Sequence, residues 1–184
     1  MNMTYFEFYG IPVSFQVDEP TLRRIFYQNS KKYHPDFHTL ADEKQQAEML
    51  ELSTLNNEAY QTLSDPDRRM RYILGINGLL SDDGEDKQTM PRDFLTEMMD
   101  INESLMELEF DFDPERYAAA LSAAETLEND LNDGIRPVLE NYPNNPDPAA
   151  DLRAVLEYYL KKRYLLRIRE NLSTFAPRAG MAEW

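Results

Sequence analysis

Apolar residues recur along this chain at three- and four-residue spacing, and after residue 15 no stretch alternates apolar and polar positions as a strand would. The first long period opens at Asp18, a helix-capping residue type, with Pro20 in the first turn, and runs to about Tyr33. At roughly 100° per residue, Leu22, Ile25, Phe26 and Tyr33 share one face and Arg23, Arg24, Tyr27 and Lys31 share the opposite one. His34-Pro35 ends this helix, because the proline ring disfavours a helical conformation at His34. A second helix is predicted over about 41–63, burying Leu52, Leu55, Ala59 and Leu63. Two such helices joined by a short loop form a helical hairpin. Ser64-Asp65-Pro66 then stops the second helix and starts a shorter one through Tyr72.

Gly75, Gly78, Ser81, Gly84 and Pro91 interrupt all helical patterning. The predicted organisation is therefore a domain at 1–75, a linker at 76–91, a second domain at 92–175 and a loose tail at 176–184, to which no role is assigned. The second domain reads as three helices, about 92–110, 114–141 and 148–174, the last two opening at Asp113-Pro114 and Asp147-Pro148. Pro137 is expected to kink or divide the middle helix, and residues 142–146 to form a loop. Helices of this length bury one another as a bundle. The expected fold class is all-α: a helical hairpin followed by a C-terminal three-helix bundle.

Composition narrows the chemistry. Among 184 residues there is no cysteine, which excludes disulfides, thiol nucleophiles and cysteine-held zinc or iron–sulfur clusters. His34 and His38 are the two histidines. His34, Asp36 and His38 make a poor metal set with Pro35 between them, and Asp111 and Asp113 read as helix-end groups rather than a general acid and base. Glycine-rich phosphate loops, nucleophile elbows and H-E-x-x-H motifs are lacking. No catalytic residue, metal or cofactor is expected. The net charge of −15 disfavours nucleic acid, and no stretch approaches the roughly 18 apolar residues of a membrane span. The expectation is a soluble, cytoplasmic chain.

The charge is unevenly placed. Residues 82–115 hold 13 acids against Lys87 and Arg92, whereas residues 19–35 hold Arg23, Arg24, Lys31 and Lys32 against Glu19 alone. A small basic face on an acidic chain suits a particular partner. Residues 94–108 carry a second signal. Projected as a helix, Phe94, Met98, Ile101 and Leu105 form one arc, and Leu95, Met99 and Met106 widen it to about half the circumference. The widened edge borders Asp100, Glu103 and Glu107. One core face does not need that width, so the pattern suggests an exposed apolar strip rimmed by acids. The competing reading buries both stripes between neighbouring helices.

The tripeptide His34-Pro35-Asp36 lies in the hairpin loop, after the basic face, and is followed at helix length by Ala59-Tyr60-Gln61-Thr62-Leu63-Ser64-Asp65-Pro66-Asp67-Arg68-Arg69. With the opening Tyr5-Phe6-Glu7-Phe8-Tyr9-Gly10-Ile11, this constellation resembles the J domain of DnaJ-type co-chaperones over about residues 4–74. The resemblance implies binding to the nucleotide-binding domain of an ATP-driven chaperone of the HscA/DnaK type and stimulation of its ATPase. His34, Pro35, Asp36, Arg23, Arg24, Tyr27 and Lys31 would then be the chaperone contacts.

The Gly/Phe-rich and cysteine-rich segments of full DnaJ proteins are missing. A J domain followed by an acidic three-helix bundle instead resembles the HscB family of iron–sulfur cluster assembly. The similarity runs through Phe94-Leu95-Thr96-Glu97-Met98-Met99-Asp100-Ile101-Asn102-Glu103-Ser104-Leu105-Met106-Glu107 and Lys161-Lys162-Arg163-Tyr164-Leu165. It implies docking of an IscU-type scaffold protein on Leu95, Met99, Asp100, Glu103 and Glu107, completed by Tyr164. Thr96 stands where the family often carries an apolar residue. The alternative keeps the J domain and gives the bundle another client, or a structural or dimerising role.

Overall fold

The structure, a computed structural model, describes residues 3–39, 41–80 and 91–180; among them every regular element is a helix. The chain packs as two units, Met1–Gly84 with Leu139–Pro148, and Glu85–Val138 with Ala149–Trp184.

In the first unit, α1 (Tyr5–Tyr9) opens with a reciprocal cap. The Glu7 N–H donates to Thr4 Oγ1 at 3.2 Å and the Thr4 N–H donates to Glu7 Oε2 at 2.7 Å. Gly10 ends it with φ +64°, a left-handed conformation that glycine adopts without steric cost. Asp18 caps α2 (Glu19–Tyr33), accepting the Thr21 N–H at 3.0 Å. That helix packs along α3 (Glu43–Ser64), with Phe26 stacked on Tyr60 at 4.3 Å.

Leu52 and Leu55, expected in this core, are only half-buried; Asn56 takes the central position instead. Its Nδ2 donates to the Phe26 carbonyl (3.2 Å) and to Ser30 Oγ (3.1 Å), while the Tyr9 hydroxyl lies 3.0 Å from both Asn56 O and Oδ1. An unsatisfied buried amide costs about 1–3 kcal/mol, so this set of bonds fixes the register of α1, α2 and α3.

Asp65 caps α4 (Pro66–Ile76), which runs four residues past the expected end at Tyr72. Arg69 on α4 is buried; its Nε donates to the Phe15 carbonyl at 2.9 Å and its Nη1 to the Leu63 carbonyl. Burial pushes this guanidinium's pKa down, while Asp65 and Glu19 act the other way. Residues 139–148 pack with this unit. The expected loop there begins as a 3₁₀ turn, Tyr142–Asn144, and the buried Tyr142 meets Phe15 edge-on at 4.7 Å.

In the second unit, α5 (Arg92–Phe110), α6 (Pro114–Asn141) up to Val138, and α7 (Ala149–Ser173) share one core. Phe94, Met98, Ile101, Leu105 and Leu108 meet Ala120 and Ala124 of α6 and Leu165, Ile168 and Leu172 of α7. Burial of each large side chain contributes about 1.5–3 kcal/mol. Of the two outcomes expected for Pro137, a kink or a division, the division does not occur: α6 runs unbroken through it. It lies four residues from the helix end, so its missing N–H removes one ladder bond and the last turn closes beyond it.

At the end of the bundle Phe175 is buried and stacks on Phe112, and in the predicted tail Ala176–Ala179 form a short helix, α8. Residues 181–184 of that tail and 81–90 of the predicted linker lie outside the described residues; of the linker's start, Ile76 closes α4 and Leu80 is buried.

Candidate functional site

The first candidate surface is the loop leaving α2. Pro35 holds His34 out of the helix at ψ 126°, and Pro35–Phe37 form a single 3₁₀ turn closed by the His38 N–H on the Pro35 carbonyl at 2.9 Å. His38 Nε2 lies 2.9 Å from the Lys32 carbonyl, tying the far side of the turn to the last turn of α2. All of these residues sit outside the core.

The His34 ring is half-exposed, and its Nδ1 accepts the Asp36 N–H at 3.2 Å. With Nδ1 as the acceptor, the donor the ring can offer is Nε2–H. Asp36 Oδ2 stands 3.7 Å from the same Nδ1. An ion pair there would need that nitrogen protonated and the backbone bond given up; the shorter bond defines the resting turn. Asp36 projects its carboxylate into solvent. The loop therefore offers a donor and an acceptor side by side in a shape fixed by the backbone.

Arg23, Arg24, Tyr27 and Lys31 are exposed along the α2 face that leads to this loop, as their spacing predicted. Arg24 Nη1 donates to Gln28 Oε1 at 3.4 Å, and among the described residues none of the three cations makes an ion pair. Sequence reasoning overlooked Phe37. It is exposed and meets the His34 ring edge-on at 5.8 Å, and an aromatic directly after the tripeptide was the available signal.

The second candidate surface lies on α5, where the two apolar arcs separate. Phe94, Met98, Ile101 and Leu105 are buried, whereas Leu95 (40%), Met99 (65%) and Met106 (63%) remain exposed. Asp100, Glu103 and Glu107 are exposed beside them. Glu107 already forms an ion pair with Arg116 of α6, so of the three carboxylates it is held within the bundle. Tyr164 of α7 is partly buried; its ring meets Phe94 edge-on at 5.8 Å and its hydroxyl accepts from Asn102 Nδ2 at 2.9 Å. Tyr164 thus reaches α5 through Asn102 and Phe94 and helps fix its orientation. Phe110, not anticipated as a site residue, is 91% exposed at the end of the same helix.

A hairpin carrying this turn at its tip, followed by a helical bundle, defines a J-domain protein: residues 4–72 match the DnaJ domain family. Residues 90–173 match the family described as the HSCB C-terminal oligomerisation domain. The Co-chaperone protein HscB homolog of Vibrio cholerae is 36% identical over 124 residues, 67% of this chain and 70% of that protein. Co-chaperone protein HscB of Proteus mirabilis is 33% identical over 122 residues, 66% and 69% of the two chains. The crystal structure of human co-chaperone protein HscB aligns with TM-score 0.65 at 27% identity, covering 93% of this chain and 81% of that one. Chaperone HscB from Vibrio cholerae shares the fold at TM-score 0.62 and 24% identity, over 96% and 99%. The chain belongs to the HscB co-chaperone family. No helix of the described residues is long and apolar enough to cross a membrane.

Proposed function

We propose that this chain is an adaptor that brings an IscU-type scaffold protein to an ATP-driven chaperone of the HscA/DnaK type and stimulates that chaperone's ATPase. Arg23, Arg24 and Lys31 steer the encounter with an acidic surface of the chaperone's nucleotide-binding domain. Tyr27 adds an exposed aromatic contact on the same face. His34 and Asp36 then make directional bonds, donor beside acceptor, held ready by Pro35. Stimulation requires that these contacts be stronger in the chaperone's hydrolysing conformation than in its resting one. The chain regulates catalysis and performs none.

The bundle supplies the client contact. Leu95 and Met99 form the apolar part, Asp100 and Glu103 the free acidic rim, and Glu107 and Tyr164 its supports. The observation that carries this half is that Leu95, Met99 and Met106 stay exposed while the adjacent arc of the same helix fills the core. Methionines suit such a surface because an unbranched thioether adapts to the partner's shape. A second reading, in which the bundle pairs with another copy, draws on the oligomerisation in the family's description.

Size-exclusion chromatography of chaperone, chain and scaffold in the presence of ATP separates the readings. The adaptor predicts one peak holding all three, dependent on the full chain. A chain that joins the chaperone and leaves the scaffold behind contradicts the delivery role. A chain that elutes as a dimer without the scaffold supports the second reading.

A further inference from the structure

We propose that the client ridge on α5 does not stop at Met99 but continues through Met106 to Phe110, and that the scaffold seated on it presents an apolar groove about 22 Å long with Lys or Arg on both sides. The proposal rests on the scaffold-docking reading and extends it by about three helical turns.

The geometry is that of one continuous line. Taking Leu95 as the origin, Met106, Met99 and Phe110 lie at roughly 20°, 40° and 60° around the helix. The buried residues Met98, Leu105, Phe94, Ile101 and Leu108 occupy roughly −60° to −140°, a separate sector. Isolated exposed apolar side chains are ordinary, but four along one line, including a phenyl ring 91% exposed, make a patch. The core does not use them. Aromatic anchors of this kind carry much of the energy of protein interfaces.

Charge identifies the kind of occupant. Glu103 lies on one flank of the ridge at roughly 80° and Glu109 on the other at roughly −40°. Both are exposed, and among the described residues neither is in an ion pair. A second copy of this chain would set carboxylates against carboxylates, in a segment where 13 acids fall between residues 82 and 115. Nucleic acid and anionic lipid are repelled for the same reason. A protein groove rimmed by basic side chains satisfies both the apolar line and its acidic flanks.

The test is calorimetric titration of a purified IscU-type scaffold into the full chain, at low and high salt, beside thermal unfolding and sedimentation. The double variant Met106→Ser/Phe110→Ser should bind about tenfold more weakly, with an unchanged unfolding midpoint and unchanged chaperone stimulation by the J domain alone. Phe110→Leu should retain most of the affinity. Binding by the wild-type chain should weaken as salt rises. If Leu95→Ala/Met99→Ala binds poorly while Met106→Ser/Phe110→Ser binds like wild type, the extension is overturned and the scaffold reading stands. If the wild-type chain binds no scaffold, or Leu95→Ala/Met99→Ala binds normally, the scaffold reading fails and takes the extension with it. A lowered unfolding midpoint in Met106→Ser/Phe110→Ser, or wild-type self-association that this variant abolishes, also overturns the proposal.

Discussion

At the tip of the α2–α3 hairpin, three consecutive residues are locked by a proline and a handful of backbone bonds, and almost nothing apolar is exposed except Phe37 and Tyr27. On α5 the arrangement is reversed: an ordinary helix, anchored by its buried arc, shows a line of exposed apolar side chains with acids beside it. The first surface concentrates information in bond directions, so a single atom exchanged at His34 changes it. The second spreads its energy over area, so several side chains share the effect and each is partly dispensable. The first suits a switch that must tell two chaperone conformations apart; the second suits a dock that must hold a client.

The sharpest break in this comparison is His34→Gln. It should lower stimulation of an HscA/DnaK-type ATPase to the unstimulated rate, with an unchanged thermal midpoint because the ring lies outside the core. Stimulation at the wild-type level would remove the directional role of the turn. Neighbouring methionines on α5 give the next contrast. Met98→Ala should cost about 2–5 kcal/mol in denaturant unfolding, whereas exposed Met99→Ala should cost under about 0.5 kcal/mol. Equal costs would mean that the two arcs are not distinct.

Leu95→Ala/Met99→Ala should weaken scaffold binding about tenfold in calorimetry and leave J-domain stimulation intact. Equal losses of binding and thermal stability would return both residues to the core. A smaller effect is expected from Arg23→Ala/Arg24→Ala: a several-fold slower association with the chaperone in stopped flow at low salt, fading as salt rises.

The smallest effect is a pH dependence of stability. Hydrogen bonds from the Thr4 backbone and side chain hold Glu7 below the usual carboxylate range, and bonds from the Thr21 side chain and backbone do the same for Asp18. A depressed carboxylate stabilises the fold at pH above its unfolded-state value. That contribution is lost as pH falls through the folded-state value. Glu7→Gln and Asp18→Asn should therefore flatten the acid limb of the stability curve, measured by thermal unfolding across pH.

The helical fold was legible because its boundaries are written in capping chemistry: Asp18 before Glu19-Pro20, Asp65 before Pro66, Asp113 before Pro114. Asn56 was not, since an amide at a core position reads as surface until Tyr9 of α1 and Phe26 and Ser30 of α2 are in place around it. Whether Pro137 would divide α6 was not legible for a related reason: the outcome depends on how little helix follows it. The width of the apolar sector on α5 was visible in the sequence, but which half is buried depends on where α6 and α7 lie. Tyr142 could not be assigned from a local pattern, because Phe15, its partner, lies 127 positions away.

The central claim is that one chain joins the switch to the dock. Steady-state ATP hydrolysis by an HscA/DnaK-type chaperone, with this chain present and an IscU-type scaffold added or withheld, tests it most directly. The account predicts that the scaffold multiplies the stimulation given by the chain alone, and that Leu95→Ala/Met99→Ala removes the multiplication while keeping the base level. Stimulation that is the same with and without the scaffold would contradict it.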